Sequence, residues 1–209
     1  MEPYVITIAR GFGSGGKEIA TKLSQRLHIP CYERQLITMA SKISGIDESL
    51  FVETDERLRG SYLAKALRGV PYQYKVEPTE KGFIADNNLF HIMARVIREV
   101  AKVQSCVIIG KCADYLLKDY PNVVSVYIEA PRKECLESIM GKMLVTEKEA
   151  TRMIEKTDKY RAQYYKYYTG GGYWTNPINY DMTLNSARVG RDRCVDVIED
   201  YVKRKMNFQ

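Results

Sequence analysis

At 209 residues, with 45% hydrophobic and 28% charged residues, the chain is long enough to bury one substantial core and reads as one folding unit with a mobile subregion. Its formal charge of +6 is spread among 26 acidic residues, without the Arg/Lys blocks that would track a nucleic-acid backbone, and suits small anionic ligands such as nucleotides. No segment approaches the roughly 18 apolar residues of a membrane span, the N-terminus has no leader pattern, and the five cysteines include no C-x-x-C pair; this excludes a zinc cluster and a disulfide framework and fits a reducing cytoplasm.

In chain order, residues 4–9 (YVITIA) form a short apolar run typical of a strand. A glycine-rich stretch follows, and then Ile19, Leu23 and Leu27 recur at helical spacing. Residues 29–32 suggest a second strand, and Leu36, Ile37, Ala40 and Ile43 an amphipathic helix over 34–43. The pattern weakens from 45 to 82, and residues 69–82, with two prolines and no sustained period, read as a mobile insertion.

Residues 88–103 place Leu89, Ile92, Met93, Val96, Ile97 and Val100 on one helical face. The runs SCVIIGK (105–111) and VVSVYIEA (123–130) are continuous and apolar, as in strands covered on both faces of a parallel sheet. Helices are expected over 131–143, with Pro131 in the first turn, and from 146 to about 169, either whole or broken near the middle; Thr146 and Glu149 match a capping box. A Gly-Gly-Gly turn at 170–172, a strand at 180–185 and a helix at 192–205 close the chain. Strands alternating with helices imply an α/β doubly wound sheet with right-handed crossovers.

Gly11-Phe-Gly-Ser-Gly-Gly16-Lys17 matches G-x-x-x-x-G-K. Glycines let backbone N–H groups turn inward toward phosphate oxygens, the next helix adds its positive end, and Lys17 adds a point charge. A strand runs directly into the motif and a helix leaves it; the competing reading is a tight structural turn. The eighth position, where a hydroxyl normally serves Mg²⁺, is Glu18. Ser14, Glu18 or an aspartate elsewhere are open candidates for the ion, and no metal ligand is assigned.

With ITIARGFGSGGKEIA, VIIGKCADYLL and DKYRAQYYKYYTGGGYW as its most specific pieces, the chain resembles the cytidylate-kinase-like family over nearly its whole length. The resemblance implies a P-loop three-layer sandwich with a mostly parallel central sheet, a helical acceptor-binding insertion at about 33–104 and a lid at about 141–157. It implies ATP and Mg²⁺ as cofactors and phosphoryl transfer to a CMP- or dCMP-like acceptor. Gly11, Gly13, Ser14, Gly15, Gly16, Lys17 and Glu18 would hold the ATP phosphates.

By the same resemblance Asp158 and Arg161 would grip the acceptor nucleotide, and Arg152 would act from the lid, making Lys17, Arg152 and Arg161 the candidate catalytic residues. Where the family carries Gly-Arg-Asp, this chain reads Gly110-Lys111-Cys112, with Asp114 two residues later. Lys111 keeps the charge and loses the bidentate fork. Arg34, after the second strand, stands where acceptor-phosphate groups occur, although an exposed helix-start arginine is an equal reading. With Arg34, Lys111, Asp114, Asp158 and Arg161 as acceptor residues, the reading is a nucleotide kinase; the alternative is a nucleotide-binding sensor with weak transfer. The aromatic set Tyr160, Tyr164, Tyr165, Tyr167, Tyr168, Tyr173, Trp174 and Tyr180 reads as helix-to-sheet packing rather than a base-stacking platform.

Overall fold

A computed structural model describes residues 2–44, 48 and 83–207. The expected insertion at 69–82 lies outside the described residues. The chain divides into two compact units, Met1–Tyr32 with Ala101–Gln209, and Glu33–Val100.

The larger unit is built on five strands: β1 (Val5–Arg10), β2 (Cys31–Tyr32), β3 (Cys106–Ile109), β4 (Val123–Glu129) and β5 (Met182–Asn185). They form one sheet in the order β2-β3-β1-β4-β5, and every pairing is parallel. Parallel neighbours cannot be joined by hairpins, so each connection crosses back over the sheet and usually carries a helix. β1 sits at the centre, with Ile6 opposite both Val107 and Val124.

Side chains two apart on a strand share a face. Ile6 and Ile8, Val107 and Ile109, and Val124, Val126 and Ile128 thus line one side. They pack with Ile19, Ala20 and Leu23 of helix α1 (Gly16–Leu27) and with Cys194, Val195, Ile198 and Val202 of the closing helix. Val5, Ala9, Ile108 and Tyr127, which point the other way, are buried too, so both faces of the sheet are covered. Each fully buried Ile or Leu contributes roughly 1.5–3 kcal/mol; the central strands therefore form a rigid base for the loops at their ends.

The smaller unit carries α2 (Gln35–Ser44), with Leu36, Ile37 and Ala40 buried. The next described helix, α3 (Phe83–Val103), buries Leu89, Met93, Val96, Ile97 and Val100 at the expected spacing. A short α4 (Ala113–Leu116) follows β3. Between β4 and β5 stand α5 (Arg132–Met143), α6 (Glu147–Tyr168) and a 3₁₀ turn (Pro177–Asn179). After β5 come α7 (Ser186–Val189) and α8 (Arg191–Lys205).

Several expected boundaries move. Pro131 is the N-cap of α5 rather than a residue of its first turn. α6 runs unbroken. β5 starts at Met182 because Asp181 is occupied as a staple: its N–H donates to Ser125 O at 2.8 Å, and its carboxylate accepts from Ser125 N at 2.8 Å and Lys205 Nζ at 2.8 Å.

All the strands point the same way, so the turns after β1, β3, β4 and β5 meet at one edge. The chain leaves β1 for β2 and β3 on one side and for β4 on the other. That reversal opens a crevice at the carboxyl ends of the strands.

The Thr146 hydroxyl accepts from Glu149 N–H while the Glu149 carboxylate accepts from Thr146 N–H at 2.9 Å, a complete capping box at the start of α6. Thr146→Ala is expected to lower stability by about 1 kcal/mol, read as a fall in the denaturant midpoint at unchanged slope.

Candidate functional site

The turn after β1 stays tied to the sheet, because Gly11 N donates to Ile128 O at 3.0 Å. Ser14 is buried and folds back, its hydroxyl donating to Gly11 O at 2.8 Å. Ser186 at the end of β5 donates to Ser14 O at 2.5 Å and to Glu129 O at 3.3 Å, joining the loop to two further strand ends. Gly15 is the N-cap of α1 with φ 82° and no side-chain cap. The first N–H groups of α1 therefore point outward from a positive helix end, the arrangement that receives anions.

At Gly13, with φ 94°, a Cβ would lie 2.7 Å from the Cys135 backbone oxygen, and at Gly11 and Gly15 distant charged side chains come close. A Cβ on Gly11 would collide with the Glu129 carboxylate. Gly15 combines a positive φ with a close approach: a Cβ there would lie 2.5 Å from Arg191 Nε.

Glu18 is half-buried and ringed by cations. Its Oε2 accepts from Arg191 at 2.6 Å and Lys142 at 3.2 Å, and its Oε1 lies 3.2 Å from Lys22 Nζ. Burial pushes this carboxyl up, but the hydrogen bonds from Lys142 and Lys22 and the Arg191 charge outweigh it, holding the group below its ordinary value.

Asp158 and Arg161 clamp the loop to α6. Asp158 Oδ1 accepts from Phe12 N at 2.9 Å and from Arg161 Nη1 at 3.2 Å, and the same Nη1 donates to Arg10 O at 3.0 Å. The Arg161 guanidinium lies 5.6 Å from the Phe12 ring centroid. Phe12 itself packs against the cluster of Cys135, Ile139, Ala150 and Ile154 between α5 and α6. Burial raises the Asp158 carboxyl, with the Arg161 charge and the Phe12 N–H opposing it.

The turn after β3 is strained. Gly110, Lys111 and Cys112 have φ of 69°, 62° and 54°, three left-handed residues in succession; for a non-glycine residue this costs on the order of 1–3 kcal/mol and persists only where the surroundings enforce it. Lys111 is buried at 9% exposure, and Asp114, in α4, at 5%. Asp114 hydrogen-bonds Tyr165, while its Oδ2 is buried without a partner among the described residues. Burial drives its carboxyl up to about 6, against the hydrogen bonds from Tyr165 and the backbone. Beside it, Tyr127 stacks on Tyr180 at 5.3 Å and meets Trp174 edge-on at 5.6 Å. Part of the aromatic set is thus packing, and Tyr165 also satisfies a buried carboxylate.

The structure therefore brings Gly11, Gly13, Ser14, Gly15, Gly16, Lys17 and Glu18 together with Asp158 and Arg161. Lys17 is exposed at the start of α1. Arg152 is exposed on α6, six residues before Asp158 and hence about 9 Å away along the helix axis. Arg34 is exposed just ahead of α2, in the smaller unit. Sequence reasoning missed Arg10, Glu129, Ser186 and Arg191; the first three stand at or just past a strand's carboxyl end, which is their one signal, whereas Arg191 opens α8 and has none. No helix among the described residues is long and apolar enough to cross a membrane. No group of three or more His, Cys, Asp or Glu among them is arranged to hold a metal.

A model of the cytidylate kinase-like family matches residues 5–188. No curated protein matches the chain. Among solved structures, an uncharacterized protein from Eubacterium ventriosum is 25% identical, with 96% of this chain and 98% of that one covered at a TM-score of 0.70. Shikimate kinase from Bacteroides thetaiotaomicron shares the fold at 13% identity, covering 96% and 98% of the two chains at a TM-score of 0.52.

Because the folded-state pKa of Asp114 is raised, its contribution to stability is complete below about pH 4 and is lost as pH rises through about 6. The loss amounts to roughly 2–3 kcal/mol. Asp114→Asn, which cannot ionise, is expected to remove this slope, seen as a mutant-minus-wild-type difference in unfolding free energy that grows from pH 4 to 7 and then levels.

Proposed function

Because the chain belongs to the cytidylate kinase-like family, we propose that it transfers the γ-phosphoryl group of ATP to a nucleoside monophosphate of the CMP or dCMP type. The observation that carries this reading is the loop itself: a left-handed Gly15 caps α1, and the turn is fastened at Gly11, Phe12 and Ser14 by β4, Asp158 and Ser186. Such a cradle suits a polyphosphate, with Gly11–Lys17 enclosing it and the Lys17 ammonium neutralising its charge. The position of the usual metal-binding hydroxyl holds Glu18, already ringed by cations. Mg²⁺ bound with ATP would supply neutralisation of the phosphate charge, and no residue of this chain is assigned as its ligand.

On this reading a phosphate oxygen of the acceptor attacks the γ-phosphorus, the bond to the β–γ bridging oxygen breaks, and ADP leaves. Catalysis comes from positioning and charge neutralisation, without a covalent enzyme intermediate. Asp158 and Arg161 fix the loop and face the acceptor from α6, and Lys111 and the buried Asp114 shape the acceptor side from the end of β3; Arg34, in the insertion at 33–104, is a further acceptor-binding candidate. Arg152 covers the transferring group from the lid at 141–157. The protein works in the cytoplasm.

A second reading, a nucleotide sensor on the same fold, is favoured by one departure from the family pattern: Lys111-Cys112 in place of Arg-Asp.

ADP release measured with ATP-Mg²⁺ against CMP, dCMP, UMP, AMP and GMP decides between them. The kinase reading expects turnover with a pyrimidine nucleotide and a loss of at least about 100-fold in kcat/KM on Lys17→Ala, as expected for removing a transition-state charge. Turnover indifferent to Lys17→Ala defeats the mechanism, and ATP binding without turnover on any acceptor establishes the sensor.

A further inference from the structure

The carboxylate that follows Lys17 has partners that the loop motif does not anticipate. A hydroxyl at this position serves the metal ion. Glu18 instead meets three cations, Arg191, Lys142 and Lys22, at 2.6, 3.2 and 3.2 Å. A carboxylate offers about four lone-pair sites, and three of them are directed at cations supplied by this chain.

The shortest of these contacts fixes Arg191. Its Nη1 donates to Glu18 Oε2 at 2.6 Å and its Nη2 to Ser138 Oγ on α5 at 3.0 Å. Lys22 adds a parallel tie between the same two helices, 2.6 Å from Asp192 Oδ1. α1 and the start of α8 are thus joined at two successive residues of α8. The result is a guanidinium laid against the backbone of Gly15, in the space a side chain there would fill. Gly15 heads the helix whose N–H groups face the cradle.

We propose that Arg191 is a polyphosphate-binding residue of the glycine loop, delivered from α8, and that Glu18 is its positioning residue rather than a metal ligand. The proposal rests on the reading of Gly11–Lys17 as a triphosphate cradle. A guanidinium carries five N–H donors in a rigid fork; the bonds to Glu18 and Ser138 orient that fork and leave donors for phosphate oxygens. Glu18 also offsets part of the positive charge gathered by Arg191, Lys142 and Lys22, which keeps three cations together at the loop before an anion arrives. The ligand class is the polyphosphate tail, shared by nucleoside triphosphates and inorganic tripolyphosphate.

Calorimetric titration of the full chain with ATP and with inorganic tripolyphosphate, each in EDTA and in Mg²⁺, tests this. Arg191→Ala is expected to weaken both ligands by about tenfold or more in either condition, the scale of one charge-assisted contact. Arg191→Lys, which keeps the charge and guards against a folding defect, is expected to recover only part of the loss. Glu18→Gln is expected to weaken binding several-fold with and without Mg²⁺, and to add nothing in the Arg191→Ala background. Tripolyphosphate affinity unchanged in both Arg191 variants overturns the proposal. So does a Glu18→Gln loss confined to Mg²⁺, or one that adds fully to that of Arg191→Ala. Wild-type protein that binds neither ligand defeats the cradle reading itself, whereas intact binding by the Arg191 variants defeats this inference alone.

Discussion

In the glycine turn after β1, spaces left by missing side chains are taken by groups from elsewhere in the chain, the Cys135 backbone at Gly13 and charged residues at Gly11, Gly15 and Gly16. Glu129 fills the space beside Gly11 and Arg191 that beside Gly15. The Arg10 side chain occupies the space beside both Gly16 and Gly110. At Gly11 and Gly15 the close approach brings a carboxylate and a guanidinium to the loop backbone, whereas Gly16 meets the stem of Arg10 and Gly13 the Cys135 backbone.

This arrangement places several buried or half-buried charges around one short segment, and each is held by opposite charge or hydrogen bonds. Isolated charges in such a setting would be costly; paired ones can be kept. Glu18 stays ionised because hydrogen bonds from Lys142 and Lys22 and the charge of Arg191 overcome its burial. Asp158 is less well compensated, and burial wins over Arg161 and the Phe12 N–H. Asp114 is further along the same scale, with Tyr165 on one side and an unpartnered oxygen on the other. Carboxyl groups with displaced pKa values and strained backbone gather at functional sites more often than elsewhere, and here both lie at the same sheet edge.

Asp158 and Arg161 illustrate how one pair can carry two duties. They bond the backbone of Phe12 and Arg10, so α6 is docked on the loop. On the proposed kinase reading, this couples α6, whose first half lies within the lid, to the segment that holds the phosphates. Motion of α6 would then be felt at the cradle, as expected where closure completes a site.

Much of this was legible without coordinates. The apolar runs at 4–9, 105–111 and 123–130 announced strands, the last two those of a parallel sheet covered on both faces; the glycine stretch marked the turn between strand and helix, and Thr146 with Glu149 the start of α6. These are local signals, set by side-chain period, glycine conformation and capping chemistry over a few residues. What lay beyond local reading is which distant side chains meet the loop. Arg191 stands 173 residues from Glu18, Ser186 stands 172 from Ser14, and Asp158 stands 146 from Phe12. No spacing rule connects such pairs; the order β2-β3-β1-β4-β5 does, because parallel strands deliver all their following turns to one edge. The sequence by itself determined the strand, glycine turn and helix on which the proposed phosphate site rests. Only the tertiary structure decided that Lys142 and Arg191 join Lys22, the i,i+4 neighbour on α1, around Glu18 and that Arg191 lies on Gly15, because those two contacts exist only once α1, α5 and α8 are packed together.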